Sequence, residues 1–166
     1  MPQDRNPTPS RPQVPKSYGI PADLGDGGVP WNRIEEKLAA ARNYWVSSTR
    51  PDGRPHAMPV WGLWLDGALM FSSGRASRKG RNISRNPALA VHLESGDDDV
   101  VIEGVAVETR DAALLARYAD AYDAKYAFRP DTADASDVTY ALRPSIAFTW
   151  LETDFPNSAT RWSFDD

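Results

Sequence analysis

The spacing of turn signals constrains this chain more than any other feature. Pro51-Asp52-Gly53-Arg54, Asp66-Gly67, Asn86-Pro87 and Ser95-Gly96-Asp97-Asp98 divide residues 44–109 into short runs rich in Val, Trp, Phe and Met. Apolar runs of that length, bounded by residues that favour reversed backbone, read as strands joined by hairpins. A parallel sheet needs a long crossover, usually a helix, between successive strands, and no regular alternation of that kind occurs. The pattern predicts strands over residues 44–49, 55–64, 68–73, 88–94, 100–109 and 139–151, all antiparallel.

Helices are expected at three places. Trp31, Ile34, Leu38 and Ala41 fall at helical spacing with Pro30 just outside, which predicts a helix over residues 31–42. Ser77 is placed to cap a short helix over residues 78–85, stopped by Asn86-Pro87. After Asp111, the recurrence of Leu114, Leu115, Tyr118, Tyr122 and Tyr126 marks an amphipathic packing helix. Residues 1–30, rich in Pro and Gly and without either period, read as a flexible arm whose 21–30 part lies over the domain. Residues 31–166 then form one domain, mainly β with flanking helices, a small barrel with helices at its edge. The tail over 155–164 carries Phe155, Trp162, Phe164 and Arg161, an unusual set for a loose end, and is expected to dock on its own fold or on a neighbour.

Several chemistries are disfavoured. The chain has no Cys and two His, His56 and His92, so no thiolate nucleophile, disulfide framework or His-rich metal centre is expected. No apolar run approaches a membrane span and no export h-region is seen, so a cytoplasmic protein off the membrane is expected. A formal net charge of -4 with one basic stripe argues against nucleic acid. Neither G-x-G-x-x-G after a strand nor G-x-x-x-x-G-K-[ST] occurs. No Ser/His/Asp set can be assembled, and Asp97-Asp98-Asp99 reads as a solvated turn. Chemistry carried by a bound cofactor asks the protein only for position and electrostatics.

Residues 75–85 hold five positive charges and no acid. On a helix Arg78, Arg81, Asn82 and Arg85 share a face beside Lys79, and Ser72, Ser73 and Ser77 add hydroxyls upstream. A helix N-terminus with such groups can hold a phosphate, each charge-assisted hydrogen bond contributing about 1.5–3 kcal/mol; a solvated basic helix is the alternative. Met58-Pro59-Val60-Trp61 places a Pro inside an apolar strand, which suggests a sheet edge or a ligand-facing position against which a flat heterocycle could lie. Core packing is the competing reading, favoured for Val60. His56 and Tyr126 are candidate proton donors, each with a structural alternative, and Tyr122, Lys125, Tyr126 and Arg129 are candidates for a substrate mouth.

Trp45-Val46-Ser47-Ser48-Thr49-Arg50-Pro51-Asp52-Gly53-Arg54-Pro55-His56, Met58-Pro59-Val60-Trp61-Gly62, Phe71-Ser72-Ser73, Ser77-Arg78-Lys79-Gly80-Arg81-Asn82-Ile83, Asn86-Pro87, Glu103-Gly104 and the Thr160-Arg161-Trp162 tail occur in series. In that series the chain resembles the pyridoxamine 5'-phosphate oxidase-like family, specifically its deazaflavin-dependent oxidoreductase branch. The resemblance implies a split β-barrel of antiparallel strands, of the Greek-key, FMN-binding type, forming a homodimer with two cofactor sites in the subunit cleft. It implies that Arg78 and Lys79 meet the cofactor phosphate with Ser72, Ser73, Ser77 and Asn82 nearby, that the backbone of Met58, Pro59, Val60 and Trp61 faces the ring, and that Arg161 and Trp162 arrive from the other subunit. The implied activity is hydride transfer from a reduced 8-hydroxy-5-deazaflavin coenzyme (factor 420) to a small organic acceptor such as an enone, quinone or tetrapyrrole. The alternatives are an FMN-dependent oxidase or reductase of the same fold, or a flavin- or deazaflavin-binding protein without turnover.

Overall fold

The computed structural model describes residues 6–164. In chain order the elements are β1 (Thr8–Ser10), α1 (Trp31–Ala40), β2 (Tyr44–Thr49), β3 (Pro55–Val60), β4 (Leu63–Leu65), β5 (Ala68–Gly74), α2 (Arg78–Arg85), β6 (Ala88–His92), β7 (Asp98–Glu108), α3 (Ala112–Tyr126), β8 (Asp137–Leu151), α4 (Phe155–Ser158) and β9 (Thr160–Ser163). Every strand pair is antiparallel. No helix among the described residues is long and apolar enough to cross a membrane.

The sheet runs β1-β9-β8-β7-β6-β2-β3, with β5 attached to β8 and β4 to β5. This corrects the expected closed split barrel: β3 and β4 stand at free ends of the ladder and do not pair, so the sheet stays open. Two local causes are visible. The expected strand over 55–64 breaks at Trp61-Gly62, and Gly62 directs its amide to the Tyr126 hydroxyl, a side chain of α3, at 3.0 Å. Then α2 packs on both β2 and β5, which stand next to β3 and β4 in the ladder, so a helix and not a strand bridges the two sides there.

The 15-residue β8 joins the parts, pairing along one edge with β5 through its first half and with β9 through its second. Its other edge follows β7, with a register shift at Glu103/Gly104. A side chain at Gly104 would lie 2.1 Å from the Arg143 carbonyl, so only glycine lets β8 turn from one partner to the other there. The inner face carries the main core, including Tyr44, Val46, Phe71, Ile102 and Leu142, capped by Trp31, Ile34 and Leu38 of α1. A second cluster joins Met70 of β5 to Tyr118, Tyr122 and Tyr126 of α3.

Residues 1–5 of the expected arm lie outside the described residues. Residues 6–30 lie along the domain: β1 pairs with β9, and the Arg11 guanidinium donates to the carbonyls of Asp23, Leu24, Asn157 and Ala159 at 2.7–3.0 Å. The tail docks on its own fold through the β8–β9 ladder.

Candidate functional site

The basic segment forms α2 with the cap read from sequence: the Ser77 Oγ accepts from the Gly80 amide at 2.9 Å and lies 3.0 Å from the Ser73 Oγ. Gly80 is buried against the end of β5, where a Cβ would meet the Gly74 carbonyl oxygen at 2.3 Å. The first turn, and with it Arg78 and Lys79, is thereby pressed onto the strand. One turn later the fully buried Asn82 donates from Nδ2 to the Ser48 Oγ of β2 at 3.0 Å. Ser48 in turn donates to the carbonyl of its cross-strand partner His56 at 3.4 Å, which leaves it free to accept from Asn82 and fixes the amide orientation.

Around this chain of contacts lie three buried side-chain atoms without a partner: Arg50 Nε, His56 Nδ1 and Asn82 Oδ1, the complete set among the described residues. Each orphaned buried group costs about 1–3 kcal/mol, and such groups are rare in native folds without a role. Their chemistry is mixed. Arg50 Nε needs an acceptor, Asn82 Oδ1 needs a donor, and His56 Nδ1 serves either way. Arg50, Arg78 and Lys79 form no ion pair with a carboxylate among the described residues. Burial together with the charges of Arg50, Lys79 and Arg78 holds the His56 imidazole below its ordinary range, and burial lowers Lys79. The cluster is thus a concentration of positive charge with no carboxylate paired to it among the described residues.

From it a strip runs along β3. His56, Met58 and Val60 share the inward parity of Tyr44, Val46 and Ser48, and four residues of strand carry it about 13 Å. Met58 is 49% exposed in spite of that parity, because no closing strand covers it. At the far end Trp61, 39% exposed, stacks on Tyr126 with ring centroids 4.7 Å apart, and the Arg42 guanidinium lies 5.2 Å from its centroid. Three cations at one end, an apolar edge and a flat aromatic at the other suit an elongated ligand with an anionic tail, hydroxyls and a planar head.

Several residues expected at the site stand elsewhere. Ser72, adjacent to Ser73 on β5, points to the opposite face and bonds Tyr118 at 3.2 Å and Thr139 at 3.0 Å. The Pro59 side chain faces outward with Trp45 and Ala57, so only its backbone follows the strip. Val60 packs against the core. Trp162 lies within the core of its own chain: it is 5% exposed, donates to Thr149 Oγ1 at 2.9 Å and packs on Trp31. Arg161 turns to Ser163 beside it. The Tyr126 hydroxyl accepts from the Gly62 amide at 3.0 Å and shares its one proton between the Gly62 and Arg42 carbonyls at 2.8 Å, so it is engaged with the backbone. Lys125 is bound to the Ala39 and Gly62 carbonyls, Tyr122 is core, and Arg129 pairs with Asp120. His92 bonds the Leu93 carbonyl and stacks on Trp45. Arg50 escaped the sequence reading, although the alternation Tyr44, Val46, Ser48 extends to it and would have placed it inward.

A separate cleft between α3 and residues 130–139 includes Arg75 and Glu108, which pair with each other at 2.7 Å, and it contains no orphaned group. The cluster at α2 is the better site.

Comparison with known proteins places this geometry. No curated protein sequence matches the chain. Among solved structures, a conserved hypothetical protein from Mycobacterium tuberculosis superposes with a TM-score of 0.67 at 21% identity, over 77% of this chain and 88% of that one. An F420 reductase gives 0.54 at 26% identity over 68% and 94%. General stress protein 26 from Bacillus anthracis gives 0.56 at 24% over 70% and 93%. The family profile described as pyridoxamine 5'-phosphate oxidase matches residues 31–152, a span that runs from α1 through β8 and holds the whole basic cluster, and the chain belongs to that family.

Proposed function

We propose that the chain is an oxidoreductase that holds a phosphate-bearing flavin-type cofactor, FMN in the first reading, with its phosphate among Arg50, Arg78 and Lys79 and its ring along Met58 and Trp61. The observation that carries this is the coincidence of all three orphaned buried polar atoms with three cations that have no carboxylate partner. A phosphate satisfies Arg50 Nε, and a polyol hydroxyl satisfies Asn82 Oδ1, so the mixed donor and acceptor set fits a phosphorylated sugar alcohol better than a bare anion.

When bound, such a cofactor supplies the electron or hydride transfer. The chain's own residues anchor it at α2, hold it along the β3 edge and offer Trp61 as a flat contact. None of the candidate acids is free at the ring end, since the Tyr126 hydroxyl is engaged with the backbone and His56 sits at the cationic end, so the acceptor's proton comes from solvent or from the acceptor's surroundings. The open side at Met58 suits a small organic acceptor, the enone, quinone and tetrapyrrole classes included. A deazaflavin coenzyme is the second reading, supported by the 26% identity to the F420 reductase. We also propose a homodimer, supported by the outward face of the sheet: Pro59, Trp45, His92, Val101 and Phe148 align across five strands, and Val105 and Val107 are 46% and 39% exposed beside them.

Equilibrium titration with FMN, riboflavin and the deazaflavin coenzyme tests the proposal. Riboflavin lacks the phosphate and should bind far more weakly than FMN. Lys79→Ala should weaken FMN by about 1–3 kcal/mol, roughly 5- to 150-fold, without weakening riboflavin. Equal affinity for FMN and riboflavin would refute the phosphate site, and preference for the deazaflavin would select the second reading.

A further inference from the structure

We infer that His56 is a proton-accepting ligand of the cofactor phosphate, so that the phosphate enters the cluster together with a proton. The inference rests on the phosphate site proposed above and adds to it a residue whose charge changes on binding.

The groups that face His56 come from two elements besides its own. Arg50 follows the end of β2, and Arg78 and Lys79 come from the first turn of α2. Ser48 and Asn82 complete the surroundings and are uncharged. No carboxylate acts on the imidazole. Burial and three positive charges favour the neutral ring, and its Nδ1 is buried without a hydrogen-bond partner. A phosphate monoester brings about -1.5 to -2 charges at neutral pH and three acceptor oxygens. Its arrival reverses the field at His56, and an imidazolium, which carries a donor on each ring nitrogen, fits phosphate oxygens where neutral imidazole has only one donor. The ordinary histidine pKa of about 6.5 lies close enough to neutrality for a change of this sign to charge the ring. The proton comes from solvent, and no bond other than N–H forms.

Lys79, lowered by burial, is present in both the wild type and a His56 variant, so a comparison of the two isolates what the imidazole contributes. The phosphate's own second ionisation near pH 6 works in the opposite sense to the imidazole's, because a monoanion binds less well. The test therefore compares two proteins at one pH.

Calorimetric titration of FMN into the wild-type protein and into His56→Asn at pH 7.5, each in two buffers of different ionisation enthalpy, measures protons taken up per FMN bound. Asn keeps a hydrogen-bond donor and cannot accept the proton. The expected result is an uptake by the wild type exceeding that of His56→Asn by a substantial fraction of one proton, with FMN affinity lowered about 3- to 30-fold in the variant. A second readout needs no variant. With two His in the chain, the imidazole NMR spectrum has two sets of ring signals, and FMN or inorganic phosphate should move His56 to imidazolium shifts while His92 stays. FMN binding with equal proton uptake in both proteins, or with the His56 ring still neutral, overturns the inference and leaves the phosphate site standing. Failure of FMN, the deazaflavin coenzyme and inorganic phosphate to bind at all overturns both.

Discussion

Substituting Gly80 by Ala sets two effects of known sign against each other. Helix propensity alone favours the change, since Ala is better than Gly inside a helix by about 0.8–1 kcal/mol. The packing opposes it. The added Cβ would lie 2.3 Å from the Gly74 carbonyl oxygen and 2.8 Å from that of Arg75, and ordinary contact begins near 3.4 Å, so α2 must move off β5 by about 1 Å. Both obstacles are backbone atoms at the close of a strand, with no flexible side chain to yield. Overpacking of this kind costs about 1–3 kcal/mol, so the balance should be destabilising by about 0–2 kcal/mol, a fall in Tm of up to about 8 °C for a chain of this size. The larger consequence falls on binding. Arg78, Lys79 and Asn82 ride on the displaced turn, and each charge-assisted hydrogen bond to a phosphate lost by the shift costs about 1.5–3 kcal/mol. Calorimetric melting and an FMN titration of Gly80→Ala read both. A variant that melts higher than the wild type and binds FMN equally well would refute the claim that Gly80 is there for close approach.

Other perturbations separate structural from functional roles. Tyr126→Phe should cost about 1–3 kcal/mol in urea unfolding because the Gly62 amide loses its acceptor, while the pH profile of turnover stays as in the wild type; a lost alkaline limb would return Tyr126 to the chemistry. Arg11→Ala removes four hydrogen bonds to carbonyls, so amides of β1 and β9 should exchange faster by hydrogen-exchange mass spectrometry with α2 unaffected, and unchanged protection would argue that β1 holds without the clamp. Arg117 holds the Asp66 carboxyl below its usual range through two hydrogen bonds at 2.8 and 2.9 Å. A depressed carboxylate stabilises the fold above its ordinary pKa of about 3.9 and loses that contribution as pH falls through the folded-state value. Asp66→Asn keeps a residue tolerant of the positive φ there and should cost less than about 1 kcal/mol at pH 7 for this partly exposed pair, with the difference shrinking as pH falls through the folded-state value; a gap that persists once the carboxyl is protonated would mean the pair's charge is irrelevant.

Local chemistry made part of the molecule legible. Ser77 three residues before Gly80 signalled the cap, Pro51-Asp52-Gly53 signalled the β2–β3 turn, and Pro59 signalled an edge, which β3 is. The serines show where a readable pattern was set aside: neighbours on a strand face opposite ways, so Ser72 and Ser73 could not both turn to α2. The place of Trp162 in its own core was hidden for another reason. Its place beside Trp31 joins residues more than a hundred positions apart, and no local period reports such a contact. The break at Gly62 is likewise long-range in origin: β3 and β4 are joined by Trp61 and Gly62 alone, and the group that holds Gly62 is the Tyr126 hydroxyl of α3, 64 residues later in sequence. The site was legible as a charge cluster; its orphaned atoms, and Arg50 among them, appear only once the hairpin and helix are brought together.

The open edge bears on how copies of the chain behave when crowded. A strand with one free side presents amides and carbonyls on which another chain can add, the first step of aggregation. Residues 55, 57 and 59 of β3 share one parity, and two of the three are proline, so Ala57 is left with the single amide donor of that set. The strip that leaves room for a ligand is thereby a poor template for a foreign strand, and replacing both prolines would turn a binding edge into a nucleus for precipitation.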